Sequence, residues 1–322
     1  MRDDGAQDTP GASASNIARN PGGDHERVGL TPELEQARGE QLEIDLEQRR
    51  YFSQLRAATS HDELTATATR VGEPGNWATR TWRRAREALR LVRHSLGLEE
   101  EVRSLLMEYM GDLTGKRILE LGCSRGSFAT LELARRGQYT GIDLAENAAR
   151  DLRHALEREG LGDRASVIAG DFYDAGFPDG AFDIVFAKSV LHHFKCPELV
   201  FSELARILAP GGIVVSHDPI QLNPLLASVR ALYRPFQSDR SWEWPFGGTA
   251  LGAARRHFRI ARAEGEGALE LLWMPLLVLL PHRPRLSVHH WLKGMERSIR
   301  RAVPALHYYD MRIVLRLEKL PS

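Results

Sequence analysis

Between Arg117 and Ser216, short runs rich in β-branched and aromatic residues alternate with stretches of helical composition. No other feature restricts the possible fold as strongly. The runs are Arg117–Leu121, Gln138–Ile142, Ala165–Ile168, Phe182–Ala187 and Ile213–Ser216. Phe128–Arg136, Glu146–Glu159 and Glu198–Leu208 read as helices between them. Parallel neighbours need a crossover, and a helix supplies it, so the pattern predicts an α/β protein with a doubly wound sheet. Ligands of such sheets bind beyond the carboxyl ends of the strands, near the point where strand order reverses.

The residues ahead of this region read differently. Residues 1–30 are rich in Gly, Asp, Asn and Ser, and they have too little apolar surface to offset the entropy of ordering, which predicts a disordered tail. Thr31-Pro32-Glu33 is a helix start, with Thr as N-cap and Pro in the first turn. Leu42, Leu46, Phe52 and Leu55 then mark a helical stripe. Ser60 to Glu63 has capping-box spacing for a further helix. Gly72 to Gly75 is a break, and helices are expected over Trp77–His94 and Glu99–Met110. The organisation expected is a tail (1–30), an N-terminal helical cap (31–112) and an α/β domain (113–322).

Charge and cysteine content narrow the function classes. The chain has 43 Lys plus Arg against 43 Asp plus Glu, so nothing draws it to a phosphate backbone at long range, and a nucleic-acid partner is not expected. Cys123 and Cys196 cannot form a disulfide framework or a cysteine-rich zinc site, and no metal is expected. The N-terminus lacks an apolar secretory segment, and the run Leu271–Leu280 is short and broken by Pro275. These features predict a cytoplasmic protein with no stable membrane insertion.

The first strand ends in Glu120-Leu121-Gly122-Cys123-Ser124-Arg125-Gly126, directly before a helix. Small residues two apart let a backbone approach a ligand closely. The same letters satisfy G-x-S-x-G, the nucleophile elbow of a hydrolase. However, mainly tail and helices precede them, where an elbow follows several strands. A dinucleotide site wants G-x-G-x-x-G, whose last glycine is missing. The next strand ends in Gly141-Ile142-Asp143, an acid 21 residues beyond Gly122, where one carboxylate can accept from both hydroxyls of a ribose. The third strand is followed by Gly170-Asp171-Phe172, an acceptor for an exocyclic amine beside a ring that can pack on adenine.

ELGCSRGSF, GIDLAENAA, GDFYD, FDIVFAKSVLHHF and ELARILAPGG follow one another in order over residues 117–218. Together they resemble the class I S-adenosylmethionine-dependent methyltransferases, in particular the ubiquinone/menaquinone C-methyltransferase-like branch. The resemblance implies a Rossmann-like sheet of seven strands whose last, Met311–Glu318, is antiparallel. It implies S-adenosyl-L-methionine as cofactor, with Glu120 organising the methionyl amine and Gly122, Cys123, Ser124 and Gly126 forming the loop. Asp143 would hold the ribose, Asp171 and Phe172 the adenine, Lys188 would lie near the methionyl group, and Leu144 would also contact the cofactor. Ser124 departs from the glycine of many relatives. A general base is needed only for an acceptor that arrives protonated. His193, His192 and Asp218 lie near the expected methyl position, although a Leu191-His192-His193 segment also suits packing or capping.

The [DN]-P-P-[FYW] tetrapeptide of nucleobase-amine methylation is absent, Ala187-Lys188-Ser189-Val190 standing in its place. Two long segments, about 217–250 and about 265–307, would form helical lid insertions at the ligand end of the sheet. Trp242, Trp244, Phe246, Trp273 and Trp291 would then line an apolar acceptor pocket; ordinary core or a homodimer contact would use them equally well. The expected acceptor is a small, partly apolar metabolite of specialised, quinone-like or isoprenoid type. Lipid or macromolecule methylation, and a non-catalytic cofactor-binding subunit, are the alternatives. The arginines between Arg80 and Arg93 read as a solvated amphipathic helix or as a site for an acidic acceptor.

Overall fold

The computed structural model describes residues 31–57, 77–236, 241–267, 273, 277 and 280–321. The expected tail and the helix expected after Ser60 lie outside the described residues. A seven-stranded sheet runs β3-β2-β1-β4-β5-β7-β6. Its strands are β1 (Arg117–Leu121), β2 (Gln138–Asp143), β3 (Ala165–Ala169), β4 (Phe182–Lys188), β5 (Leu208–Pro219), β6 (Phe258–Glu266) and β7 (Arg312–Lys319). β1 to β5 pair in parallel, and β7 is antiparallel to both β5 and β6. β6 therefore runs in the direction of β5, as the Rossmann-like reading expected.

Alternation along the strands builds two cores. Leu119, Leu121, Val185, Ala187 and Val214 point to one face, where α6 (Pro197–Ile207) and α8 (Gly248–His257) pack. Ile118, Ile184, Phe186, Ile213 and Val215 point to the other, covered by α3 (Leu98–Met110), α4 (Thr130–Arg136) and α5 (Glu146–Arg158). With both faces buried, the strands need apolar residues at almost every position, and Ile-Leu-Glu-Leu of β1 satisfies this except at Glu120.

Two further layers lie beyond the sheet. α1 (Pro32–Ala57) crosses the ligand end. It buries Gln41, Asp45 and Gln48, whereas Leu42 and Leu46 are each 44% exposed. The apolar stripe expected to face inward thus faces outward at these two positions. The reason is what lies beneath: Gln41 accepts from the Lys195 N–H at 2.8 Å, and Gln41 and Gln48 donate to the His193 carbonyl at 3.4 and 3.5 Å. An uncovered backbone turn needs hydrogen-bonding partners, which leucine cannot provide. The second layer is a lid of α2 (Trp77–Ser95), α7 (Pro224–Tyr233) and α9 (His282–Ala302). It has a small core of its own, in which Val92, Leu96 and Leu98 surround Trp273 and Leu277, with Leu286 and Leu292 of α9 against them.

Candidate functional site

The sheet order reverses at β1, which lies between β2 and β4. A cavity of about 370 Å³ opens there, within the size range of small-molecule sites. The carboxyl ends of β1, β2 and β4, the loop after β3 and three residues of α1 line it. Of the residues expected to hold a cofactor, Glu120, Gly122, Cys123, Ser124, Gly126, Asp143, Leu144, Phe172 and Lys188 are on its wall.

The loop after β1 approaches the cavity with little side chain in the way. Gly122 has φ +66°, and a Cβ there would sit 2.4 Å from Val190 Cγ2. Gly126, at φ +100°, would bring a Cβ to 3.1 Å from Leu152 Cδ1. Among the described residues only Ser124 (φ +49°) and Ser189 (φ +60°) are left-handed without being glycine, and both line this cavity. Such strain concentrates at functional sites, where surrounding bonds hold it. The Ser124 N–H donates to Asp143 Oδ2 at 2.8 Å, and Ser189 Oγ accepts from Arg312 Nη2 at 2.5 Å. Asp143 Oδ1 also accepts from the Ala145 N–H at 2.8 Å. This carboxylate therefore ties the glycine loop to the start of α5.

Glu120 is buried and accepts from Thr130 Oγ1 at 2.7 Å and the Tyr139 hydroxyl at 2.8 Å. Burial pushes its carboxyl up, and the hydroxyl donors only partly oppose this. Lys188 is pulled down, chiefly by burial and then by nearby Arg312. Behind Lys188, Arg93 of α2 pairs with Glu266, and His217 Nε2 donates to the same carboxylate at 2.8 Å. Burial alone would raise Glu266, but His217, Arg93 and Arg312 hold it well below the usual carboxylate range.

The structure separates the three expected catalytic residues. His193 lines the cavity. Its Nδ1–H donates to the Trp242 carbonyl at 2.9 Å, which places the lone pair of the neutral ring on Nε2. His192 and Asp218 are not on the wall. They bind each other at 2.8 Å, and Asp218 Oδ1 also accepts from the Val190 and His192 N–H groups at 3.1 and 3.3 Å. Burial alone would raise Asp218, but His192 holds it below the ordinary range. These two residues anchor the turn after β4, the packing role noted above, and they set the position of His193.

Asp171 is also off the wall. It accepts from the Tyr173 N–H at 2.7 Å and lies close enough to Asp45 of α1, which is on the wall, to raise the Asp45 carboxyl. Sequence reasoning missed Asp45, Gln48 and Phe52, because an acid in an acidic helix carries no local signal. Burial pushes the Asp45 carboxyl up to about 8, against the Gln41 bond and with help from Asp171. The fold thus retains a proton that the unfolded chain releases near the ordinary aspartate value of 3.8. Stability should fall as pH rises from about 4 to about 8. Asp45→Asn, which carries no titrating proton, is expected to gain stability relative to the wild type as pH rises from about 4 to about 8, by several kcal/mol in all. A difference that did not change with pH would show that Asp45 holds no such proton.

None of the five roof aromatics is on the cavity wall. Phe246 belongs to the sheet core and Trp273 to the lid core. Trp242 packs on Tyr51 with centroids 5.2 Å apart, the Trp244 N–H donates to the His192 carbonyl, and Trp291 is 67% exposed. Core packing, the alternative use, accounts for Phe246 and Trp273.

The family model for a methyltransferase domain matches residues 119–216. That span begins in β1 and ends in β5, and it supplies most of the cavity wall. Residues 119–216 are a class I methyltransferase domain. A sterol 24-C-methyltransferase of Yarrowia lipolytica is 36% identical over 109 residues, 32% of this chain and 28% of that protein. A phosphatidylethanolamine N-methyltransferase of Cereibacter sphaeroides is 33% identical over 134 residues, 41% of this chain and 65% of that protein. The chain spans about three-tenths of the length of the sterol methyltransferases it matches. A crystal structure of geranyl diphosphate C-methyltransferase from Streptomyces coelicolor A3(2) aligns with a TM-score of 0.48 and 14% identity, over 69% of this chain and 80% of that one.

The cofactor of this domain class is S-adenosyl-L-methionine, and the residues present fit it. The glycine cradle would be filled by a Cβ at Gly122. The donor set offers a buried carboxylate for an ammonium, a second for a diol, and an aromatic face for a base.

Proposed function

We propose that this chain transfers a methyl group from S-adenosylmethionine to a small, largely apolar acceptor of isoprenoid, sterol or quinone-like type. The observation that carries the reading is that one cavity unites the glycine loop, the Glu120 and Asp143 carboxylates and the His193 ring. Glu120 would hold the methionyl ammonium. Asp143 would accept from the ribose hydroxyls, since each oxygen has a second lone pair beyond its backbone bond. Phe172 would pack on the adenine, with Asp45 as an acceptor beside it and Asp171 behind Asp45, and Lys188 would lie near the methionyl carboxylate.

When bound, the cofactor supplies a methyl group already activated on a sulfonium. The protein's work is alignment and exclusion of water. α1 serves the second task by laying Gln48 and Phe52 across the cavity. His193 Nε2 receives the proton that the acceptor gives up, while Asp218 and His192 act as positioning residues. The apolar acceptor is supported by the names of the relatives, which specify a sterol and phosphatidylethanolamine. The five motifs keep the ubiquinone/menaquinone-like branch within the proposal.

Incubating the full chain and S-adenosylmethionine with fractionated lipid and metabolite extracts tests this. A product heavier by one CH2 unit, formed only when both are present, is expected. Tight cofactor binding with no product from any fraction would favour the non-catalytic subunit.

A further inference from the structure

We propose that the outer face of the lid, built from α2, α7 and α9, docks on an anionic lipid surface. α9 is turned inside out. Val288, Trp291, Met295 and Ile299 follow a spacing of three, four and four residues, so they share one face, and they are 38–67% exposed. His289, Glu296 and Arg300 are each one position further along, about 100° around the helix, and all three are buried. Inside, Arg300 pairs with Glu296 and Asp310. A helix serving only this fold would bury its apolar stripe and expose its charges.

The neighbouring helices repeat the feature. Leu225, Val229 and Leu232 share one face of α7, with Leu225 and Leu232 at 68% and 76% exposure. α7 is tied to the turn after α9 by Asn223 Nδ2, which donates to the Tyr309 carbonyl at 3.0 Å. α2 exposes Trp77 and Leu91, while the adjacent Val92 is buried in the lid core against α9. The exposed apolar residues therefore belong to adjoining elements of one layer.

Charge identifies the occupant. α2 and α9 each carry six Lys or Arg residues against one Glu, within a chain of zero net charge. Arg84 of α2 and Arg297 and Arg301 of α9 are exposed. A second copy meeting this face across a two-fold axis would set like charges against each other. Nucleic acid would satisfy the arginines and leave the apolar ridge in water. A bilayer with anionic headgroups accommodates both: the apolar side chains enter the interface, Trp291 sits at headgroup depth, and the arginines stay with the phosphates. No helix of the described residues is long and apolar enough to cross a membrane, so the contact is peripheral.

Flotation with vesicles of equimolar phosphatidylcholine and phosphatidylglycerol, compared with phosphatidylcholine alone, tests the proposal on the full chain. The wild type is expected to float with the anionic vesicles and to lose most of this in high salt. Trp291→Glu with Met295→Glu should weaken partitioning by about tenfold or more. Arg297→Glu with Arg301→Glu should weaken it on anionic vesicles only. All four positions are exposed, so melting temperature and S-adenosylhomocysteine binding should match the wild type and confirm that the variants fold. Absent flotation, or flotation that neither variant changes, overturns the proposal. So does a dimer that Trp291→Glu dissolves, or nucleic-acid binding without vesicle binding. The vesicle assay needs no turnover, so its result is independent of the methyl-transfer reading.

Discussion

His193→Ala is expected to lower kcat by about 10²–10⁴-fold, the usual range for a lost general base, with S-adenosylhomocysteine affinity nearly unchanged. The expectation rests on three features of the ring. It is on the cavity wall, its Nδ1–H is committed to the Trp242 carbonyl, and its backbone carbonyl is held by Gln41 and Gln48 of α1. The ring is thus oriented from both sides, with the lone pair of its neutral form on Nε2. His192, stacked on it at 4.1 Å between centroids, provides the internal control. His192→Ala removes a partner from a fully buried carboxylate, and breaking a buried pair costs about 3–5 kcal/mol. Its signature should be a lower melting temperature, with kcat reduced less than in His193→Ala among molecules that remain folded. If His193→Ala instead raised KM and left kcat intact, His193 would be a wall of the acceptor site and not its base. If both variants behaved alike, the turn would act only as a structural unit.

The contrast between these adjacent histidines shows where sequence reasoning stops. Both follow β4, and no periodicity distinguishes them. Asp218, at the far end of β5, does: it captures His192 and so turns His193 toward the ligand. Such a contact depends on tertiary placement. β1 to β4 were legible because strands buried on both faces must be apolar nearly throughout, and glycines and acids at their ends interrupt the run. β5 starts earlier than its pattern suggests, since Ala209-Pro210-Gly211-Gly212 reads as a turn, yet Leu208 already pairs with Phe182. α1 was legible as a helix but not in its orientation. Residues 41, 45, 48 and 52 share one face and Leu42 and Leu46 lie on another, and the two leucines were the natural choice for the inner face. A polar cavity and an open backbone turn below it reversed that preference. The same reversal in α9 put Trp291 on the outside, where an acceptor pocket had been expected to hold it.

Asp143 is the residue on which cofactor binding should depend most. It accepts from two backbone N–H groups that shape the loop and the start of α5, and it would accept from the ribose as well. Bonds to a charged acceptor are worth about 1.5–3 kcal/mol each. Asp143→Ala should therefore weaken cofactor affinity by roughly tenfold to more than a hundredfold. It should also lower stability by on the order of 1–3 kcal/mol, because the Ser124 and Ala145 amides lose their acceptor. Asp143→Asn keeps one carbonyl oxygen and should lie between the two in both respects. The decisive measurement is calorimetric titration of the wild type and Asp143→Ala with S-adenosylhomocysteine, with NAD as the control ligand. The wild type is expected to give a single-site isotherm, to bind NAD far more weakly, and to lose most of its S-adenosylhomocysteine affinity in Asp143→Ala. Absence of heat from the wild type, tighter binding of NAD, or an Asp143→Ala variant that binds as well as the wild type would contradict the assignment of this cavity to S-adenosylmethionine.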